Sequence, residues 1–410
     1  MGHVFSSLFE KTRLPDVLPL MLLGILLGPV FHLVNPSDFG EAGQIFTTLA
    51  LILVLFKSGL NFRLLSLRGA VGQGFFLTTV CFALVMCSTS FLAYFMLGLS
   101  QAYAFVIGAI VAGNSPAVIV PMLAKLRVAK TTKTILFLEA NLTGVYTIIL
   151  ALAFLSAALH GEAISAQKIA WDVAKSFGIG TLFAVLAGLF WMGILNHVRQ
   201  LENAVSLTFA FVLLVYSISG LIGADGAIAT LVFGITAGNM RLIRRSLLHK
   251  LDIRRLLTLN KGEKSFFDEI EFIFKTLFFV YMGICMHLGR VELLMLGLLL
   301  VLAKFLFRTL PINYCVSRQI SRRDCSVILA MCPNGLVSAV LATMIAVQLP
   351  QEGEIIQDVI YAVIFFSVFI SNLMSYRIEK GGLKWVGTVF FHRHLVEQNS
   401  KPSDSPEVLQ

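Results

Sequence analysis

Gly113-Asn114-Ser115-Pro116 interrupts an otherwise apolar run from about Tyr103 to Leu123. Proline lacks a backbone donor and drives the residue before it out of helical conformation, so this run is expected to break near its midpoint. In hydrocarbon each freed backbone group costs several kcal/mol unless protein or trapped water satisfies it. Irregular backbone at membrane depth therefore lines a cavity. A second interruption, Cys332-Pro333-Asn334-Gly335, falls in another apolar run far along the chain. Two interrupted spans in corresponding halves point to the substrate site of a secondary transporter.

The composition fits that reading. The chain has 410 residues, of which 57% are hydrophobic and 13% charged, and its mean hydropathy is +0.85. Apolar runs of about eighteen or more residues recur from end to end, which excludes a soluble globular class. The net charge of +9 sits in short loops between apolar runs, the pattern of positive-inside loops and not of a nucleic-acid partner. Six cysteines, Cys81, Cys87, Cys285, Cys315, Cys325 and Cys332, lie in or beside apolar runs without a C-x-x-C pair. They read as small hydrophobes, neither disulfides nor metal ligands. Leu14 to Val34 is too long and Gly-rich for a cleavable signal and is taken as the first span.

About twelve spans follow from the apolar runs, at 14–34, 43–61, 70–97, 101–124, 134–159, 168–196, 203–222, 226–240, 266–288, 291–317, 325–349 and 356–377. Basic loops (Lys11 and Arg13, Arg63 and Arg68, 125–133, His197 and Arg199, 241–264, 318–323 and 377–393) alternate with neutral or acidic ones such as 35–41 and 351–358. Twelve spans with both termini in the cytoplasm satisfy the positive-inside rule at every loop. The expected fold is therefore an all-α polytopic membrane protein.

The chain also repeats itself. Leu22-Leu23-Gly24-Ile25-Leu26-Leu27-Gly28 recurs in kind as Val232-Phe233-Gly234-Ile235-Thr236-Ala237-Gly238. The copies enter from opposite sides, and each precedes a broken span by the same number of spans. That is the arrangement of two inverted five-helix repeats with crossed discontinuous helices. The 1–380 segment is taken as one transmembrane domain. In the 381–410 tail, Lys384 to Arg393 could lie along the interface as a short amphipathic helix, and Glu397 to Gln410 reads as disordered. The basic 241–264 connection reads as a solvated linker near anionic headgroups.

Ionisable groups inside spans cost roughly 2.5–3.5 kcal/mol each on insertion scales, so each needs a reason. Four stand out: Lys57, Glu139, Lys275 and Arg308. Lys57 lies near the end of its span and reads as snorkelling. At about 1.5 Å of rise per residue, Glu139 and Arg308 fall at similar depths, roughly 7 to 8 Å from the cytoplasmic edge, and are expected to meet as a structural ion pair. The same arithmetic sets Asn114, Ser115, Pro116, Thr143, Gly144 and Lys275 near the midplane, roughly 13 to 18 Å in. Lys275 reads either as a structural cation for one of the breaks or as a titrating group. Thr143 by itself is weak, since span hydroxyls commonly bond their own backbone.

At these residues the chain resembles the monovalent cation/proton antiporter family, the sodium/proton exchanger fold, from Leu14 to about Arg377. Leu14-Pro15-Asp16-Val17 with Gly24 to Pro29 is similar to the family's opening span. Phe56-Lys57-Ser58-Gly59-Leu60-Asn61 resembles its Phe-x-x-Gly-Leu element, and Gly113-Asn114-Ser115-Pro116-Ala117-Val118 its Thr-Asp-Pro-x-x-Val crossing motif. Lys275 to Gly283 resembles an Arg/Lys-Thr-Phe-Phe-Phe-Val-x-x-Gly element, and Pro333-Asn334-Gly335-Leu336 a Pro-Arg-Gly-Leu element. The resemblance implies a core domain carrying the crossed breaks, a rigid scaffold domain, and a homodimer. It also implies sodium or potassium and protons as the transported species, with no cofactor, in a bacterial-type inner (plasma) membrane.

One departure bears on the chemistry. The family's ion-binding element reads Glu-Ser-x-x-Asn/Thr-Asp, and the matching residues here are Glu139-Ala140-Asn141-Leu142-Thr143-Gly144. Gly144 stands where the exchanging carboxylate would be, and Asn114, Ser115, Asn141, Thr143 and Asn334 offer only neutral groups to a hard cation that favours charged oxygens. Three readings remain open: an antiporter whose proton is carried by another group such as Lys275 or Glu139, a transporter of an anion or neutral solute, and a non-transporting membrane scaffold or sensor. No Gly-x-Ser-x-Gly elbow, phosphate loop or metal-spaced histidine pair appears, and His32, His160, His197 and His287 lie at span ends, which argues against an enzyme.

Overall fold

The computed structural model describes residues 17–62, 73–124, 126, 128–159, 166–198, 204–240, 242, 261–349, 351–382, 384–391 and 393. The opening Leu14-Pro15-Asp16, the loop residues Lys11, Arg13, Arg63, Arg68 and Arg199, nearly all of the 241–260 linker and the tail from Glu397 lie outside the described residues. The described chain is helical. Its elements are α1 (Val17–Ile25), running into a π-helical turn (Leu26–Val30), then α2 (Gly40–Asn61), α3 (Gln73–Leu97), α4 (Gln101–Ala112), α5 (Pro116–Ala124) and α6 (Lys130–Leu159). They continue with α7 (Ala166–Val198), α8 (Ala204–Leu221), α9 (Gly226–Gly238), α10 (Lys261–Ile284), α11 (Val291–Cys315), α12 (Arg322–Ala330), α13 (Leu336–Gln348), α14 (Glu352–Glu379) and α15 (Lys384–Phe390).

With α4–α5 and α12–α13 each taken as one interrupted span, the elements fall on the expected spans in order. Among the described residues, six helical stretches are long and apolar enough to cross a membrane by length and composition, including 101–124, 130–159 and 291–315. Both interruptions fall where the sequence set them. Gly113 is extended and Pro116 opens α5, the first helical position that proline favours because no donor is needed there. Met331 leaves helical geometry and Gly335 precedes α13. The breaks cross each other: the Ser115 backbone N–H donates to the Pro333 carbonyl at 2.8 Å.

The internal repeat is visible as packing. α1 packs on α10, and α9 packs on α2, so the first helix of each repeat lies against the second helix of the other. The contacts match residue for residue. A Cβ at Gly24 would overlap the Val280 carbonyl and the Gly283 Cα, and a Cβ at Gly234 would overlap the Phe56 carbonyl and the Gly59 Cα. One turn on, Gly28 meets Ile284 and Gly238 meets Leu60. Small residues that let helix backbones touch supply the van der Waals contact that drives association in lipid, where apolar burial is not itself a driving force.

α3, α4, α6, α11 and α14 gather around the crossed breaks. The amphipathic segment expected at Lys384 forms the short helix α15, which packs on α12, with Phe391 fully buried just beyond it.

Candidate functional site: the crossing of the two broken helices

A broken helix leaves its last carbonyls without intrahelical donors, and that end carries partial negative charge. At the end of α4, the Lys304 ammonium donates to the Gly113 carbonyl at 2.8 Å, and the Asn334 amide donates to Ile110 at 2.9 Å and Val111 at 3.2 Å. Near the end of α12, Arg308 donates to the Ile328 carbonyl at 3.0 Å. Lys304 also donates to Asn334 Oδ1 at 2.8 Å, and the Asn334 backbone N–H donates to Ser367 Oγ at 3.0 Å. Buried backbone groups that helix geometry strands are thus taken up by side chains from neighbouring spans.

Glu139 and Arg308 meet, through Arg308 Nη1 and Glu139 Oε1. The pair is 1% and 2% exposed respectively, and Lys304, one turn before Arg308 on α11, is 0% exposed. The Asn114 amide donates to the same Glu139 oxygen at 2.9 Å. The Asn114 backbone N–H donates to Thr143 Oγ1 at 3.2 Å, and that hydroxyl donates back to the Glu139 carbonyl at 2.9 Å. Among the described residues, the buried acceptors with no hydrogen-bond partner include Asn114 Oδ1 and Glu139 Oε2. Buried oxygens of this kind are costly unless a ligand, ion or water completes them.

Asn114, Ser115, Thr143 and Asn334 therefore come together with Glu139 and Arg308, while other residues of the expected set stand apart. Pro116 is a half-buried helix start. The Asn141 amide donates to its own backbone at the Phe137 carbonyl, 2.7 Å away. Lys275 is not at the crossing: it lies half-buried on α10, which packs chiefly on α1, α2 and α13, with its ammonium 6.0 Å from the Phe272 ring centroid. The cation that serves the break is Lys304, which the sequence reading passed over because it stands in the same apolar run as Arg308. Its spacing of four residues before Arg308 was the available signal, since i and i+4 share a helix face. Lys57 does not snorkel. It is 7% exposed and pairs with Asp268 and, at 3.0 Å, with Glu271, both on α10.

Gly144 lies half-exposed on α6. Along one stripe of α6, Lys130, Thr134 and Phe137 are exposed and Asn141 and Gly144 half-exposed, whereas Ile148, Ala151 and Leu155 further on are buried. A Cβ at Gly144 would meet nothing within 4 Å. Neighbours on either side touch the break: Thr143 bonds Asn114, and Thr147 Oγ1 donates to the Ala109 carbonyl at 3.1 Å.

The comparisons with known proteins agree with this architecture. The Na(+)/H(+) antiporter 1 of Methanocaldococcus jannaschii is 23% identical over 409 residues, covering 94% of this chain and 92% of that protein. A K(+)/H(+) antiporter NhaP2 of Shewanella oneidensis is 22% identical over 238 residues, covering 58% of this chain and 42% of its own length. The solved structure of the sodium proton antiporter MjNhaP1 from Methanocaldococcus jannaschii at pH 8 superposes with a TM-score of 0.73 at 21% identity, over 95% of this chain and 96% of that one. The family model described as sodium/hydrogen exchanger, transmembrane, matches residues 2–375, and the chain belongs to that family.

Proposed function

We propose that the chain exchanges a monovalent cation, sodium or potassium, for protons by alternating access, with the cation held at Glu139 Oε2 and Asn114 Oδ1 and the proton carried by Lys304. The observation that carries this reading is the pair of buried acceptor oxygens without a partner, beside a fully buried lysine whose ammonium rests on neutral oxygens. Oxygen donors suit hard monovalent cations. The lysine neighbours the same segment, because Gly113 accepts from Lys304 and the next residue, Asn114, bonds Glu139. Like charges held close together in a buried site repel. A metal cation and an ammonium therefore disfavour one another there. The arriving cation expels the proton, and the returning proton expels the cation, which is the coupling an antiporter needs.

The antiporter names of the relatives and the family membership support the same substrate class. The bilayer is the medium, with both termini cytoplasmic by the loop charges; a homodimer follows by analogy with the family. The full capping of the Gly113 carbonyl by Lys304 also suits a scaffold that does not transport, in which Lys304 is a fixed brace. Reconstitution separates the two. In proteoliposomes carrying a pH gradient, added sodium, potassium or lithium dissipates the gradient if the chain is an exchanger, and leaves it intact if the chain is a scaffold.

A further inference from the structure

The crossing carries more positive than negative charge. Lys304 and Arg308 are both buried there, and among the described residues Glu139 is the one carboxylate hydrogen-bonded to either of them. Glu139 and Arg308 cancel, which leaves the Lys304 ammonium on two neutral oxygens. Buried charges are ordinarily paired, because an unpaired one forfeits its hydration. Donors are also left over. Lys304 uses two of its three N–H groups, and Arg308 Nε has no partner although it is buried. A Cβ at Gly144 would meet nothing within 4 Å, and Thr143 and Thr147 on either side of it both touch the break.

We propose that a small monovalent anion, a carboxylate the size of formate or acetate, seats in the open space at Gly144 and supplies the negative charge that Lys304 lacks. The inference deepens the exchange reading above and rests on it for its consequence. With the anion in place, the site is neutral both when Lys304 is an ammonium and when a metal cation has replaced that proton. Without it, the proton-loaded state carries an uncompensated buried charge. The anion is thus a co-ligand of the exchange site that the chain itself does not provide.

Thermal unfolding of the full chain in detergent tests this, with sodium formate compared against sodium gluconate at equal sodium and pH. A ligand that binds only the folded state raises the melting temperature in a saturable way. The expected result is a formate-dependent rise in the parent chain that disappears in Gly144→Asp, which fills the space and brings its own charge. Gly144→Leu, which fills the space without charge, should lose the rise as well. No rise in the parent chain, or the same rise with the same midpoint in either variant, overturns the proposal. Tracer sodium-for-sodium exchange at equal pH on both sides, which is indifferent to permeation of formic acid, is run in parallel. Exchange without any formate effect on unfolding sinks the anion and leaves the antiporter reading standing. A formate effect without exchange sustains the anion and sinks the antiporter.

Discussion

Lys304 and Arg308 stand one turn apart on α11 and serve the C-terminal ends of two different half-helices: Lys304 donates to Gly113 after α4, and Arg308 donates to Ile328 in the last turn of α12. Each cation meets the partial negative charge that a helix end presents. Of the two, Arg308 alone has a carboxylate partner among the described residues, Glu139. Removing one member of a buried pair leaves the other charge uncompensated, at a cost on the order of 3–5 kcal/mol. Glu139→Gln should therefore lower the melting temperature in detergent markedly. An unchanged melting temperature would show that Glu139 does not brace Arg308, whatever its part in holding the cation.

The two glycine crossings predict matched costs. Gly24→Ala and Gly234→Ala each push a methyl group into backbone of the facing helix, and such overpacking costs typically about 1–3 kcal/mol. Gly144→Ala meets open space and gains helix propensity of up to about 1 kcal/mol. Melting temperatures of the three variants should fall, fall and hold or rise. A loss at Gly144 equal to that at Gly24 would contradict the packing described.

The fold was legible because its signals are local. Pro116 and Pro333 mark the breaks by their own stereochemistry, and Gly24 and Gly234 mark the repeat. The Glu139–Arg308 contact followed from depth, since rise per residue alone sets both groups at one level. Lys275 misled for the same reason: its depth was suitable, but depth does not say which neighbours a helix has, and α10 packs away from α4 and α6. Lys57 was read from its distance to the span end, whereas its partners Asp268 and Glu271 lie on a helix that only tertiary packing brings near. Lys304 was hidden among leucines. Its role depends on the Gly113 carbonyl of a distant span, a partner no sequence spacing encodes.

The space at Gly144 gives a gain-of-function prediction. A Cβ at Gly144 meets no neighbour, and a charge-assisted contact from Gly144→Asp is worth about 1.5–3 kcal/mol. The half-saturating cation concentration for exchange should fall by roughly tenfold or more. An unchanged value would mean that position 144 is not next to the cation.

His287 in the loop after α10 contacts Asp358 on α14 at 2.8 Å, and Asp358 also receives Arg290 at 2.9 Å, with Glu354 3.6 Å from Arg290. The hydrogen bond to Asp358 raises the His287 pKa above its ordinary value, against a smaller lowering by burial. A raised histidine contributes stability that is complete below the unfolded pKa of about 6.5 and is lost as pH rises through the higher folded value. The melting-temperature difference between the parent chain and His287→Gln should be largest below about pH 6.5 and shrink toward alkaline pH. A difference that grows with pH would show that the contact is not between imidazolium and carboxylate.

The central claim is that Lys304 carries the proton. Lys304→Met, which keeps the stem and removes the charge, tests it most directly in proteoliposomes monitored for both proton and cation movement. The account predicts that sodium or potassium no longer dissipates a pH gradient while tracer cation-for-cation exchange persists, because the cation oxygens at Glu139 and Asn114 remain and the competing ammonium is gone. Gradient dissipation at the parent rate would contradict it and return Lys304 to the role of a brace beneath Gly113.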